Sequence, residues 1–229
     1  MERRTFLRTA ALGTGVVVLG RAHATPKPKE PREEAEEEVS PTEDLMREHG
    51  VLRRLLLVYG EVIRRVEANE GVKPEAVAQS AQIIRAFIED YHERDEEEYI
   101  FPRFQKAGKL TDLVNVLLAQ HQAGRVLTAQ IQKLATATGL ASVDGKRDVV
   151  RAMRQFIRMY EAHAAREDTI LFPAFASLIG KKELKKLQDT FEQKEKALPM
   201  GDFEKMVADV GQIEQTLGIY ELAQFTPKP

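Results

Sequence analysis

The sequence contains no cysteine and no tryptophan, and its net charge is only −2 over 229 residues. Without cysteine, the chain cannot form disulfides, thiolate zinc sites, iron–sulfur clusters or a c-type haem attachment. The nearly balanced charge gives no electrostatic indication of nucleic-acid binding. Proline (10) and glycine (14) are few for this length, and apolar residues recur at steps of three and four. The sequence therefore predicts an all-α protein.

The N-terminal segment, residues 1–24, has the features of an export signal. Arg3 and Arg4 precede an uncharged run over residues 9–20, and residues 22–24 form a small-x-small cleavage pattern. The paired arginines predict a bacterial protein exported to the periplasm by the twin-arginine route. An ordinary secretory signal, or an uncleaved signal that tethers the protein to the membrane, is the alternative. The apolar run is too short to span a bilayer, so we expect no membrane span in the mature protein.

Composition divides the rest of the chain into three parts. Residues 25–41 are rich in glutamate and proline and predict a flexible acidic linker. Residues 42–176 carry four long amphipathic patterns and predict an antiparallel up-and-down four-helix bundle. Residues 177–229 contain two further amphipathic segments, predicted to be two additional C-terminal helices. These helices cover the bundle or, alternatively, form a dimer contact, and the sequence leaves the oligomeric state open.

The four bundle helices are predicted from caps, prolines and apolar stripes. The stripes follow 4-3 steps, and those of the second and fourth helices are expected to reach Tyr99 and Ile170. Glycine and aspartate in residues 138–146 predict a loop before the fourth helix. The first helix is predicted to have its N-cap at Thr42, and the second to begin at Pro74 and stop at Pro102. The third helix is predicted to begin near Lys109 and the fourth to stop at Pro173.

One motif occurs twice with every offset matching. His-x3-Glu-x4-Phe-Pro-x-Phe begins at His92 and again at His163. A histidine and a glutamate four residues apart lie on the same side of a helix, one turn apart, so one helix can offer two ligands to a metal. The glutamates of the two copies are Glu96 and Glu167.

Two more histidines complete the pattern. His49 and His121 also fall in the apolar phase of their helices, so each predicted bundle helix carries one histidine. Their separation in the sequence nearly equals that of His92 and His163, which indicates two approximately duplicated hairpins. Packed antiparallel, the hairpins would bring four imidazoles and two carboxylates into one central layer. Because burying an unpaired carboxylate costs several kcal/mol, Glu96 and Glu167 need cations.

Metal ions are the expected cations. The alternative is a buried polar network with Arg53 and Arg125, each four residues after a histidine. Calcium and magnesium prefer oxygen ligands, and a single zinc ion needs only three or four ligands. Six ligands in two equivalent halves suit two ions, each bound by two histidines and bridged by the glutamates. We expect two iron ions, with zinc or manganese as alternatives.

These residues resemble the hemerythrin-like, or HHE cation-binding, domain family over about residues 43–175. The family signature is a histidine on the first and third helices and a His-x3-Glu pair, followed by Phe-Pro, on the second and fourth. The resemblance implies a four-helix bundle with an oxo- or hydroxo-bridged di-iron centre that binds oxygen. The matching positions are His49, His92, Glu96, His121, His163 and Glu167.

The chain departs from the oxygen-carrying members of that family at one position. Those proteins have a second histidine one turn after the third-helix histidine, and Arg125 stands there in this sequence. Glu93, beside His92, is a candidate substitute, with a solvent-facing charge as its alternative role. The departure puts reversible oxygen carriage in question.

Three functions fit these features, in decreasing order of preference. The first is a non-enzymatic di-iron protein that binds O2 or a related small ligand such as NO or peroxide. The second is an oxidase or peroxide-degrading enzyme with Tyr91 or Tyr160 as electron donor. The third is an iron-sensing or storage protein whose bundle loosens when iron is lost.

Overall fold

A computed structural model describes residues 39–227 of the chain. The predicted signal and nearly all of the predicted linker lie outside these described residues. Within them the fold is all-α, as predicted, and a 3₁₀ turn at Leu222–Phe225 follows the last helix. The helices are α1 (Pro41–Glu67), α2 (residues 74–107), α3 (Thr111–Leu134), α4 (Ala137–Ala141), α5 (residues 143–178), α6 (Lys181–Lys196) and α7 (Phe203–Leu217).

The four long helices α1, α2, α3 and α5 form the bundle, and two apolar clusters fill it. The first cluster joins the C-terminal part of α1 to the N-terminal parts of α2 and α5, for example Ile63, Val77 and Val149. The second joins the start of α1 to the ends of α2 and α5, for example Leu45 and Phe104. Neighbouring helices in the sequence therefore run antiparallel.

Both motif helices change their hydrogen-bonding pattern at the motif. α2 is π-helical over Ile84–His92 and Glu96–Ile100, and α5 is π-helical over Glu167–Leu171. The predicted stops at Pro102 and Pro173 are wrong, because each proline lies in the first turn of a further α-helical segment. Proline has no N–H to donate to an α-helical hydrogen bond. Because the π turn already replaces the α-helical hydrogen bonds at this point, the proline does not end the helix.

The π turns also shift the buried face by one residue. In α5, Ile170 was expected to be buried, but it is 40% exposed and Leu171 is 0% exposed. In α2, Ile100 is buried where Tyr99 was expected. Buried positions extrapolated at 3.6 residues per turn lie one residue too early once a turn contains an extra residue.

Two other predicted boundaries need correction. α1 begins at Pro41, because Ser40 rather than Thr42 is the N-cap and forms a capping box with Glu43. The segment 138–146 is mostly helical rather than a loop: α4 and α5 are capped by the side chains of Thr136 and Ser142. Its glycines permit close packing, since a Cβ on Gly145 would lie 2.0 Å from a backbone oxygen of Gly139.

The two C-terminal helices pack against the bundle. Leu187 and Phe191 of α6 join the second apolar cluster. Met206, Val210, Ile213 and Leu217 of α7 join the first, and Glu214 pairs with Arg54 of α1 at 2.6 Å. Within residues 39–227, no helix is both long and apolar enough to cross a membrane.

Candidate metal centre

The four bundle histidines lie in one layer between the two apolar clusters. His49 comes from α1, His92 from α2, His121 from α3 and His163 from α5, and each is at most 3% exposed. The rings meet in pairs: His49 and His92 have centroids 4.7 Å apart, and His121 and His163 have centroids 5.0 Å apart. The rings that meet thus come from the same duplicated hairpin, and the duplication relates one ring pair to the other.

The two motif glutamates lie between these histidine pairs. Oε2 of Glu167 is 3.0 Å from Nε2 of His163 and 3.3 Å from Nε2 of His49. Oε2 of Glu96 is 3.4 Å from Nε2 of His121 and 3.8 Å from Nε2 of His92. Each carboxylate thus faces one histidine from each pair, and all four imidazoles present Nε2 to the centre.

These contacts define two groups of four candidate ligands that share both glutamates. One group is His49, His92, Glu96 and Glu167, and the other is His121, His163, Glu96 and Glu167. In each group the ligand atoms lie within 4.8 Å of one another. Two cations, each with two imidazoles and bridged by both carboxylates, match this donor set.

The unpaired carboxylate oxygens indicate that the layer is built for cations. All four oxygens of Glu96 and Glu167 are buried and accept no hydrogen bond. Burial, reinforced by the charge of Glu167, raises the pKa of Glu96 well above its usual range. Burial also holds the pKa of His92 well below its usual range, so its imidazole is neutral and able to bind a metal. The residues present therefore fit two metal ions.

Each histidine is held on its other side by an acceptor at Nδ1. His49 donates to Asp168 (2.7 Å) and His92 to Glu48 (2.7 Å). His121 donates to Glu97 (3.0 Å) and His163 to Gln120 (3.0 Å). Such bonds fix the tautomer that leaves Nε2 free for a metal. These acceptors were not predicted from the sequence, although each one adjoins a candidate ligand in it.

Arg53 and Arg125 stand behind two of these acceptors. Arg53 pairs with Asp168, and Arg125 pairs with Glu97 at 2.8 Å and with Glu93 at 2.9 Å. Neither arginine pairs with Glu96 or Glu167 among the described contacts, so the alternative network in which they neutralise those glutamates is wrong. Their regular spacing from His49 and His121 instead reflects two matching His–carboxylate–Arg chains.

The Phe-Pro part of the motif also has a structural role. Phe101 stacks on His121 with centroids 5.4 Å apart, and Phe172 stacks on His49 at 5.6 Å. The last phenylalanines of the two copies, Phe104 and Phe175, meet each other at 6.0 Å. The motif therefore supplies ligands from its first half and an apolar cover for the opposite ligands from its second half.

Glu93 is buried, so its expected alternative role as a solvent-facing charge is wrong. Its Oε1 accepts a hydrogen bond from the Tyr160 hydroxyl (2.6 Å), and its Oε2 pairs with Arg125. The nearest imidazole nitrogen described for it is Nδ1 of His121, at 4.0 Å, rather than an Nε2. Glu93 thus lies behind the histidine layer, held by other side chains.

The fold and the site define a helical bundle with buried His/Glu clusters suited to metal ions. The family model that matches the chain is the hemerythrin HHE cation-binding domain, over residues 40–175 and again over residues 113–216. The chain belongs to this family. Its His/Glu clusters fit a di-iron-binding site.

Full-length relatives occur in mycobacteria. Two uncharacterised proteins of Mycobacterium tuberculosis, from strains CDC 1551 and H37Rv, and one of Mycobacterium bovis are each 44% identical over 231 residues. Each alignment covers 98% of this chain and 91% of the relative. No solved structure matches the chain significantly.

Proposed function

We propose that the chain is an exported hemerythrin-like protein that holds a non-haem di-iron centre and binds O2 or a related small ligand such as NO or peroxide. The observation that carries this proposal is the pair of four-ligand groups sharing both glutamates. The proposed ligands are His49, His92, Glu96, His121, His163 and Glu167.

The chain contributes three things at this centre. Its imidazoles are oriented through Nδ1, its carboxylates supply negative charge in a buried layer, and the stacked rings of Phe101 and Phe172 limit access of water. Each of the two groups would hold one iron ion through two imidazoles and the shared glutamates, and a bound iron ion could also take a small molecule as a ligand. Iron at this site would supply the reducing electrons needed to bind O2.

The proposal is tested by loading and spectroscopy. Purified protein reduced and supplied with Fe²⁺ without oxygen should hold about two iron atoms per chain, and air should produce an absorption change that reverses when oxygen is removed. His92→Ala should lose iron at its own position, whereas Glu89→Gln, a buried change away from the ligands, should keep both ions. Unchanged iron in His92→Ala would remove that residue from the ligand set.

An enzymatic role is the second candidate, and Tyr160 favours it. The ring of Tyr160 lies 5.3 Å from that of His163, and its hydroxyl donates to Glu93. This placement suits a tyrosine that supplies an electron during reduction of peroxide. Sustained peroxide turnover by the iron-loaded protein, reduced in Tyr160→Phe but not in Tyr99→Phe, would favour the enzyme over the binding protein.

We also propose that the protein acts in the periplasm. The proposal rests on the paired Arg3 and Arg4 and on the apolar run that follows them. Fractionation of the host cells should recover the mature protein from the periplasm, and Arg3→Lys with Arg4→Lys should retain it inside. Recovery in the membrane fraction would instead support the uncleaved, tethered alternative.

A further inference from the structure

The two proposed metal positions differ in one contact to their histidines. His92 donates from Nδ1 to a carboxylate oxygen of Glu48, whereas His163 donates from Nδ1 to the amide oxygen of Gln120. Glu48 directly precedes His49, and Gln120 directly precedes His121, so the two acceptors occupy equivalent places in the duplicated hairpins. The same role is therefore filled by a carboxylate in one half and by a neutral amide in the other.

The other histidine of each pair has matched surroundings. His49 donates to Asp168, which pairs with Arg53, and His121 donates to Glu97, which pairs with Arg125. Both contain the same sequence of imidazole, carboxylate and guanidinium. These hydrogen-bonded groups are of the same kind at both metal positions. They therefore do not offset the difference between Glu48 and Gln120.

Glu93 does not restore the balance at a histidine. It is the additional buried carboxylate near the His121 position, and its residue equivalent in the other hairpin is Ala164. However, its oxygens bind Tyr160 and Arg125, and its approach to Nδ1 of His121 is 4.0 Å. It therefore accepts no proton from an imidazole.

A carboxylate acceptor makes an imidazole a stronger metal ligand than an amide acceptor does. As metal draws electron density from Nε2, the Nδ1–H bond polarises toward its acceptor, and an anionic acceptor stabilises this change more. Glu48 is 2% exposed and its Oε2 lies 2.7 Å from Nδ1 of His92, whereas Gln120 is half-buried and its Oε1 lies 3.0 Å from Nδ1 of His163.

From this difference we infer that the two metal positions are inequivalent and that Glu48 is the positioning residue that makes the His49/His92 position the tighter one. This inference rests on the proposed function, in which the six ligands hold two ions. Loss of a partner behind a metal-bound histidine typically lowers metal affinity by 10- to 100-fold. The structure thus assigns an order of filling, with His49/His92 occupied before His121/His163.

Stepwise metal titration tests the inference without any activity assay. Co²⁺, and Fe²⁺ under anaerobic conditions, are titrated against a competing chelator to obtain two dissociation constants. In the unaltered protein the constants should differ. Glu48→Gln should raise the dissociation constant of the tighter position about 10-fold and leave that of the weaker position unchanged. Gln120→Glu should lower the dissociation constant of the weaker position and leave that of the tighter position unchanged.

Variants that keep only one of the two histidine pairs show which dissociation constant belongs to which metal position. His163→Ala leaves the His49/His92 pair intact, so adding Glu48→Gln to it should weaken the remaining ion. His92→Ala leaves the His121/His163 pair, so adding Gln120→Glu to it should strengthen the remaining ion. Glu89→Gln is the matched control, because Glu89 is a fully buried glutamate of α2 bonded to Thr128 and Arg85. It should leave both constants unchanged.

The outcomes separate this inference from the proposed function. Failure of the unaltered, folded protein to bind two ions would overturn the proposed function and the inference with it. Binding of two ions with constants that neither Glu48→Gln nor Gln120→Glu changes would overturn the inference alone. Circular dichroism identifies a variant that does not fold, and the other substitution then decides the question independently.

Discussion

The hairpin of α1 and α2 and the hairpin of α3 and α5 share the groups that face the centre and differ in the groups beside it. Both carry a histidine, a following arginine, a His-x3-Glu pair and a stacking phenylalanine at matching offsets. Both place an acceptor residue directly before the first histidine and a carboxylate directly after the glutamate. The duplication is therefore closest where two equivalent sets of ligands must converge.

Besides the exchange of Glu48 for Gln120, the two hairpins differ along the interface of α2 and α3. There a buried polar network joins Thr128 to Glu89, Glu89 to Arg85, and Glu93 to Tyr160 and Arg125. The positions equivalent to Gly124, Thr128 and Glu93 in the other half are Leu52, Leu56 and Ala164. One flank of the histidine layer is polar and the other apolar, so a duplicated ligand set has two chemically different environments.

Removal of a motif glutamate is expected to produce the largest effect on metal content. It tests whether the two metal positions share their carboxylate ligands. Glu167→Ala should lose both ions, because this carboxylate contacts a histidine of each pair. His163→Ala should keep the ion at the intact His49/His92 pair. Elemental analysis of both variants measures the difference. Equal metal content in the two variants would contradict the sharing of the carboxylate.

Metal removal should lower stability strongly in both halves together. Without cations, the four unpaired oxygens of Glu96 and Glu167 remain buried in one layer. An ion present at 1,000 times its dissociation constant adds about 4 kcal/mol to the free energy of unfolding. Thermal unfolding should therefore shift to lower temperature on chelation and return when Fe²⁺ or Co²⁺ is restored. An unchanged melting temperature in protein shown to have lost its metal would contradict this coupling.

Gly124→Ala should be destabilising because of the polar flank. A Cβ at Gly124 would lie 2.0 Å from the Tyr160 hydroxyl oxygen, so the ring and its hydrogen bond to Glu93 must move. We expect a loss of about 1–3 kcal/mol in denaturant unfolding, the usual cost of overpacking. The same change in a Tyr160→Phe background should cost less, since the clashing hydroxyl is gone. Additive effects of the two substitutions would show that the contact does not couple them.

The smallest expected effect is a pH dependence at Glu89. Burial raises the pKa of Glu89 above its usual range, so the ionised form is less favourable in the folded than in the unfolded chain. Its contribution to stability therefore falls as pH rises through the unfolded and then the folded pKa. The difference in the free energy of unfolding between Glu89→Gln and the unaltered protein should therefore shift in favour of the unaltered protein as the pH falls from 7 to 4.

Unfolding of the metal-free proteins by denaturant at both pH values measures that change. The ligand glutamates titrate identically in the two proteins, so their contributions cancel. A shift of this difference in favour of Glu89→Gln as the pH falls would contradict the stated direction.

The bundle and its candidate ligands were predictable because they depend on short-range regularities. His49, His92, His121 and His163 share the apolar phase of their helices, and the near-equal separations within the two equivalent pairs place them at one level. Glu96 and Glu167 follow their histidines by one turn. The predicted export signal and linker remain predictions, because they lie outside the described residues.

Other features required contacts between distant residues. The acceptors Glu48, Glu97, Gln120 and Asp168 each contact a histidine on a different helix, and spacing along one helix does not reveal such pairs. The π turns were also missed, because an extra residue per turn changes the phase of Leu171 and Ile100 without an obvious signal in composition.

The sequence by itself determined the helical class, the duplication and the residue types available to bind a cation, since these follow from periodicity and side-chain chemistry. Only the tertiary structure decided which nitrogen of each imidazole faces the centre and which acceptor lies behind it. Those choices depend on helix rotation and on packing between segments far apart in the sequence, as in the pair of His49 and Asp168. For that reason the chemical difference between two nearly identical halves becomes visible only when they are packed together.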